Sequence, residues 1–528
     1  MGGGADPGAP PRFAFRPAGD GRAPVVVVGA GPVGLSAAID LGLRGQPVVL
    51  LDEDDTVAGG SRAICWAKRS LEIFDRLGVG AAMLERGVTW QIGKVFHRER
   101  EVYRFDLLPQ SGHRCPAFVN LQQYHVEALL AARARELPLI DARWRHRVTG
   151  VEAGGDGVVL TVETPAGRYR LEAGWVIAAD GARSFIRRAL GLDFLGRVFE
   201  DRFLIADVRM EAAFPPERWF WFDPPFNPGQ SALLHRQPDG IWRIDLQLGP
   251  GADPEREREP GRVTRRLRAM LGEAARFSLE WVSVYTFQCR RLARLRHGRV
   301  LFAGDAAHQV SPFGARGGNS GIQDADNLAW KLAAVLAGEA PEALLDSYDL
   351  ERGAAADENI LASSRSTDFI TPKGEASRAY RDAVLALAAT HPFARRLVNS
   401  GRLSLPASYR DTPLNTPDGE PWPEGPPPPG APLPDAPLAG GWLLHAVAGS
   451  FVLLHGGPAP PPEVPGLRAI AVAGVAADRL GLSAGGALLV RPDQHVCARW
   501  RAMPAAAAVA AARDRALGRD LQSTRVPV

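Results

Sequence analysis

Val25-Val26-Val27-Val28-Gly29-Ala30-Gly31-Pro32-Val33-Gly34, continuing to Asp52, decides how the rest of the chain is read. Four consecutive valines make a fully buried strand. Gly29, Gly31 and Gly34 follow in G-x-G-x-x-G spacing. Residues 35–43 read as a helix, and residues 47–51 as a second buried strand that ends at an acid. A strand, glycine turn, helix, strand and acid together form a βαβ unit with a dinucleotide-binding pattern. Gly29 permits the tight turn. Gly31 lets backbone N–H groups approach a pyrophosphate. Gly34 lets the helix pack closely on the strand. The helix N-terminus presents partial positive charge to phosphates. Asp52 stands where a carboxylate accepts ribose hydroxyls.

Composition narrows the classes. At about 100–200 residues per domain, 528 residues form several domains. A 46% hydrophobic and 23% charged content is that of a soluble globular protein. A net charge of +3 is too small to argue for nucleic acid or an anionic membrane. Cys65, Cys115, Cys289 and Cys497 are far apart and form no C-x-x-C, so neither a disulfide framework nor a thiolate metal site is expected, and a cytoplasmic location is. No apolar run reaches the ~18 residues of a membrane span. Residues 1–23 are Gly-, Pro- and Ala-rich without an apolar stretch, which reads as an arm and not a signal peptide.

Along the chain, residues 68–77 read as a helix with Leu71, Phe74 and Leu77 on one face, and residues 94–107 as a β-hairpin. Residues 120–135 read as a helix with Gln123 and Glu127 on one face. Strand 175–179 ends in Asp180-Gly181-Ala182-Arg183-Ser184. From 197 to 288 the period is mostly two. Within it, Trp242, Ile244, Leu246 and Leu248 alternate with Arg243, Asp245 and Gln247, the mark of antiparallel sheet. Strand 299–303 leads into Gly304-Asp305, then a glycine-rich loop, Ser311 to Gly321, and a long helix over 323–336. Residues 420–437 are Pro-rich and read as a stiff linker. Strands at 451–454, 467–472, 487–490 and 495–500 and a helix at 505–517 form a small terminal α/β unit.

The G-x-G-x-x-G unit, Asp180-Gly181 and Gly304-Asp305 recur together in an order and spacing that resembles the class A, single-component FAD-dependent aromatic hydroxylases. The likeness is to the branch of phenol hydroxylase and 3-(3-hydroxyphenyl)propionate hydroxylase, and covers roughly residues 24–400. It implies an α/β protein. A Rossmann-like FAD-binding βαβ domain of the glutathione-reductase type occupies 24–195, with the 94–107 hairpin joining the substrate sheet. An inserted antiparallel β-sheet substrate domain occupies 196–290, and the FAD-binding domain resumes with long helices over 291–400. A linker at 401–440 leads to a thioredoxin-like α/β domain at 441–528, with no C-x-x-C and a structural or dimer-supporting role.

The resemblance also assigns residues. Gly29, Gly31 and Gly34 bind the FAD pyrophosphate and Asp52 the adenosine ribose. Arg62 and Gln123 touch FAD; Asp180 and Gly181 belong to a motif linked to FAD and NAD(P)H; Asp305 bonds the ribityl chain or ribose. Pro312, Gly314, Gly318 and Asn319 form the loop along the isoalloxazine, where N–H groups of Gly318 and Asn319 stabilise charge on the reduced ring. The mechanism that the resemblance implies is that NADH or NADPH reduces FAD, O2 forms a flavin C4a-hydroperoxide, and its distal oxygen passes to a phenolic or other electron-rich aromatic. No side chain is assigned as catalytic and no metal is called for. His308 reads as a packed histidine. Trp219, Trp221, Phe222 and Phe313 are candidate pocket walls. The partners expected are a small aromatic substrate and O2, with homodimerisation open and no nucleic acid. Two alternatives stand beside this reading: halogenation, epoxidation or dehydrogenation on the same fold, and a non-catalytic binding scaffold.

Overall fold

The computed structural model describes residues 11–59, 63–249, 251–398 and 403–521. Two eight-stranded sheets organise most of them. The first runs Arg296–His297, Val300–Phe302, Gly167–Ala178, Gly21–Val28, Val48–Asp52, Ile140–Trp144, with Val158–Thr164 and Arg147–Ala153 attached through Gly167–Ala178. Its central pairs are parallel, with Val25 opposite Trp175 on one side and Val48 on the other. Val25, Val26 and Val27 are fully buried, packed with Leu35 and Ile39 of helix Pro32–Leu43 and with Leu328 and Leu332 of helix Gly317–Leu336. The valine run thus behaves as a central parallel strand covered by helices.

The second sheet runs His308–Gln309, Phe277–Leu292, Phe194–Met210, Ile241–Gln247, Ser231–Arg236, Arg218–Phe222, Ile92–His97, Arg100–Asp106. All its pairs are antiparallel except Arg218–Phe222 with Ile92–His97. Asp239 and Gly240 both have positive φ, 61° and 71°, which turns the chain between two of these strands without splaying them. Two short helices, Pro254–Glu257 and Pro260–Leu271, interrupt the region that sequence reads as strand alone.

Alternation sorts this sheet's side chains onto two faces. Trp221, Leu234, Trp242, Ile244 and Leu246 pack with Val263 and Leu267 of helix Pro260–Leu271, and Trp219 packs against the same cluster. Phe220, Phe222, Leu233 and Phe203 lie on the other face and cluster with Phe313. The expectation of one aromatic wall is corrected accordingly. Trp219 and Trp221 belong to the helix-covered core, while Phe222 and Phe313 share the face toward the first sheet's unit.

The terminal unit is a four-stranded sheet ordered Arg468–Ala471, Val452–His455, Ala487–Val490, Val496–Trp500, with helix Ala506–Ala516 against it. The Pro-rich stretch is packed rather than free. Leu433 and Ala436 are buried in the unit's core, and the N–H of Leu433 donates to Gln494 O. A buried ionic lattice joins the unit to the helices behind the first sheet. Arg491 donates to both oxygens of Glu351, and Asp493 pairs with Arg491. Lys331 donates to Glu351 at 2.7 Å, and Arg69 bridges Asp326, Asp493 O and Gln494 Oε1. No helix among the described residues is long and apolar enough to cross a membrane.

Candidate functional site

The opening turn gives each glycine a distinct duty. Gly29 sits at φ +102°, and a Cβ there would lie 2.4 Å from Ala179 O. A Cβ on Gly34 would lie 1.8 Å from Gly29 O. A Cβ on Gly31 would meet no protein atom within 4 Å. Two glycines are therefore demanded by the fold, and one faces open space at the start of helix Pro32–Leu43. That helix has no capping side chain, so its first-turn N–H groups face the same space. Asp52 closes the unit: Oδ2 accepts the N–H of Ala30 and Oδ1 that of Asp54. Burial pushes its carboxyl up to about 6.

The second and third motifs arrive beside the first. Asp180 Oδ2 accepts the N–H of Ile186 at 3.1 Å, while Oδ1 is buried without a partner. Ser184 caps helix Phe185–Ala189 by accepting from Arg187 N, and Gly181 takes φ +74°. Gly304 packs against Val33 of the first helix, where its Cβ would come within 2.9 Å. Gly321, in the helix after the glycine-rich loop, would come within 2.6 Å of the same side chain. Asp305 lies in the short turn Gly304–Ala306 between these contacts. His308 is enclosed, bonded to Asp324 at 2.6 Å, and Asp324 also pairs with Arg352. That is a packing role for the imidazole.

Gln123 Oε1 accepts the N–H of Ala63, and its Nε2 donates to Glu127, whose other oxygen accepts from Ala58. The pair ties Ala58 and Ala63 to helix Gln123–Glu136; Arg62 lies outside the described residues. The long helix begins at Gly317, six residues ahead of the expected 323, with its glycine-containing first turn held by the side chain of Asn319. Its first turn has no capping side chain either, which leaves N–H groups at Gly317, Gly318 and Asn319 for a ligand. Asn319 pins this turn: Oδ1 accepts from Ala67 N at 2.8 Å, and Nδ2 donates to Cys65 O and Ala315 O. A Cβ on Gly318 would touch Ala63 and Trp66 at 3.4–3.5 Å, so the loop lies close on strand Cys65–Ala67. Gly314, at φ +91°, makes room for Arg316, which donates to Phe313 O. Pro312 lies immediately before Phe313, on the apolar face shared with Phe222.

The matched family model is described as an FAD binding domain and spans residues 22–363. The chain belongs to the FAD-binding-domain family. The 3-(3-hydroxy-phenyl)propionate/3-hydroxycinnamic acid hydroxylase of Klebsiella pneumoniae (strain 342) is 33% identical over 405 residues, covering 76% of this chain and 72% of the relative. The enzyme of that name from Mycobacterium sp. (strain KMS) is 31% identical over 402 residues, covering 76% and 69%. Among solved structures, p-nitrophenol 4-monooxygenase PnpA from Pseudomonas putida DLL-E4 is 28% identical with a TM-score of 0.65, covering 74% of this chain and all of that one. The flavin-dependent monooxygenase PieE, in complex with FAD and substrate, is 24% identical with a TM-score of 0.80 over 95% of this chain and 100% of its own; it speaks for the fold. FAD is the cofactor of this flavoprotein monooxygenase, with NAD(P)H as co-substrate.

The residues present fit FAD. Gly31 opens a cradle that a side chain would fill, Asp180 keeps an enclosed oxygen without a partner, and two helix starts are uncapped. Sequence reasoning passed over several polar groups around Cys65: His235, Arg218, Arg243 and Asp245. The signal for Arg243 and Asp245 was the polar side of the 241–248 alternation, and for Arg218 its period-two spacing from Phe220 and Phe222.

Proposed function

We propose that the chain hydroxylates a small phenolic or other electron-rich aromatic compound, consuming NAD(P)H and O2. The observation that carries this reading is the convergence at Asn319. One side chain ties the uncapped helix start to strand Cys65–Ala67, beneath the phenylalanine face of the second sheet. A ring cofactor on that helix start and an aromatic substrate under that face would be adjacent.

Bound FAD supplies hydride acceptance and oxygen activation. The chain's share is placement, charge and dryness. Gly29, Gly31 and Gly34 let backbone N–H groups close on the pyrophosphate, and Asp52 accepts a ribose hydroxyl. Asp180 Oδ1 and Asp305 offer acceptors to the ribityl side. Arg62 and Gln123 border the cofactor, Gly181 shapes the Asp180 turn, and Pro312, Gly314 and Gly318 bring bare backbone to the ring. N–H groups of Gly318 and Asn319 stabilise negative charge at the ring edge. Phe222 and Phe313 keep water from the substrate side. The terminal unit is read as a thioredoxin-like domain serving structure. Its Cys497 is buried with the thiol donating to Leu489 O, which suits packing and not redox exchange.

The decisive experiment supplies FAD-loaded protein with 3-(3-hydroxyphenyl)propionate or p-nitrophenol. NAD(P)H oxidation should accelerate, and isotopically labelled O2 should leave one labelled oxygen in the product. Product oxygen that derives from water, or no product, would overturn the reading. Asp52 gives a second test. Losing a charged hydrogen bond costs about 1.5–3 kcal/mol, about tenfold to a hundredfold in affinity. FAD titration of the apoprotein should show that weakening for Asp52→Asn. In wild type, FAD affinity should decline as pH falls through about 6, where Asp52 protonates, and the variant should lack that decline.

A further inference from the structure

On the face of the second sheet that turns toward Cys65, one register row reads Asp207, Arg243, His235 across adjacent strands. The neighbouring row reads Ile205, Asp245, Leu233, Phe220. Arg218 is two residues before Phe220 on the same face. Cys65 ties the group to the cofactor side: its thiol lies 4.0 Å from His235 Nε2, and its carbonyl accepts from Asn319.

Charges in this cluster are unevenly matched. Arg243 is neutralised by Asp207 through two bonds of 2.8 Å. Asp245 and Arg218 are not. Asp245 Oδ1 is buried without a hydrogen-bond partner, and no ion pair includes either residue among the described residues. The nearest ring to the Arg218 guanidinium is Phe220, at 5.8 Å. A half-buried carboxylate with one enclosed oxygen and a half-buried guanidinium that attract but do not touch each lose hydration without the compensation of a bond. A group seated between them must donate to the carboxylate and accept from the guanidinium. A hydroxyl does both, and Phe220, Phe222 and Phe313 supply flat apolar surroundings for the ring that bears it.

We propose that Asp245 is the base that takes the proton of a phenolic hydroxyl, and that Arg218 is the cation that holds the resulting phenoxide. This rests on the hydroxylase reading and names two residues that touch its substrate. The phenolic O–H bond breaks, its electron pair stays on oxygen, and the proton passes to Asp245. The phenoxide pairs with Arg218, and its electrons enrich the ring carbons ortho and para to it, where oxygen is accepted. No further oxidant or reductant is consumed in that step.

The neighbouring groups leave this role to Asp245. Burial pushes its carboxyl up to about 6, against the pull of Arg243 and Arg218 and with the push of Asp207. It is therefore ionised and able to accept a proton at neutral pH. Burial pushes the Cys65 thiol up to about 12 and raises the Tyr103 hydroxyl, so both stay protonated. Protonated His235 would be buried between Arg218 and Arg243, which holds its proton affinity well below the ordinary imidazole value. Arg316, beyond Arg218, adds positive charge and no base.

The test uses FAD-loaded protein and p-nitrophenol, whose ionisation is read from its colour, at a pH where the free probe is mostly un-ionised. Wild type should bind it as the phenoxide. Asp245→Asn and Arg218→Gln should bind it un-ionised, Arg218→Gln about tenfold more weakly, and Arg218→Lys should restore part of the colour. Unchanged flavin absorbance in each variant certifies the fold. kcat/KM should drop about a hundredfold or more in Asp245→Asn, and the wild-type loss of kcat/KM as pH falls through about 6 should vanish. A probe that does not bind wild type, or whose ionisation ignores both substitutions, overturns the assignment. If phenols still accelerate NAD(P)H oxidation in that case, the hydroxylase reading stands without it; if none does, both fall.

Discussion

Gly34→Val should yield protein purified almost free of FAD. The expectation is geometric. Even a single carbon at Gly34 would sit 1.8 Å from the backbone oxygen of Gly29 and 3.3 Å from Ala179 Cβ. The oxygen belongs to the turn itself, so nothing flexible is available to move aside. Overpacking a well-filled core costs about 1–3 kcal/mol even where side chains can shift. Here the helix must lift from Val25–Val28 or the turn must open, and each displaces the N–H groups that meet the pyrophosphate. At about tenfold in affinity per 1.4 kcal/mol, flavin content per protein should fall about tenfold or more. Gly31→Ala separates fold from ligand. Gly31 sits at φ −72°, open to any residue, and its Cβ would meet no protein atom within 4 Å. That variant should fold like wild type, with unchanged circular dichroism, yet bind FAD more weakly. Equal flavin content in Gly34→Val and wild type would sink the account of the turn; equal FAD affinity in Gly31→Ala and wild type would sink the account of the cradle.

What sequence conveys about this molecule follows from how local each determinant is. The valine run, the G-x-G-x-x-G spacing, the hairpin at 94–107 and the four strands after 451 are local patterns, and the structure places elements at all of them. Three separated motifs also pointed to one cofactor, through the family that their order and spacing resemble. Facing was harder. Trp219-Phe220-Trp221-Phe222 reads as one aromatic block, but a period of two sends alternate rings to opposite faces, and only the neighbouring strands decide which is which. In 241–248 the hydrophobic side faces a helix, and the polar side faces the cofactor unit rather than water. Polarity alone assigns such residues to solvent, so Asp245 looked ordinary. The start of helix Gly317–Leu336 was masked by glycines, which discourage helix in isolation and here are used for close approach. The contacts between residues 69, 326, 351 and 491 span hundreds of positions and leave no local trace.

Those distant residues set the last prediction. Glu351→Ala should be among the most destabilising single changes in the chain, while Lys331→Met should cost less. Glu351 is 3% exposed and accepts from Arg491 through both oxygens, from Lys331 and from Asn327. Arg491 and Lys331 drive its carboxyl far below the usual carboxylate range despite burial. Removing it leaves Arg491 and Lys331 facing Asp493, two cations against one anion, in a region water does not reach. Breaking a buried pair by deleting one partner costs about 3–5 kcal/mol. Lys331 is the milder case. Burial already pulls its ammonium down to about 8, so carrying that charge is costly in the folded state. Methionine fills a similar volume without it, and Glu351 keeps both bonds to Arg491. Removing one partner of a buried pair still leaves Glu351 and Asp493 against Arg491 alone, so Lys331→Met has a cost, but a smaller one because the charge it deletes is weakly held. Denaturant unfolding of the FAD-loaded protein, with limited proteolysis at residues 403–440, should show Glu351→Ala loosening the terminal unit first, since Arg491 and Asp493 lie on it. The sign with pH follows from the depressed carboxyl. Its contribution is present above the ordinary glutamate range and is lost as pH falls below it, so wild type and Glu351→Ala should converge in acid. Equal losses in the two variants, or a gap that persists in acid, would mean that the lattice fills space rather than binding the terminal unit through charge.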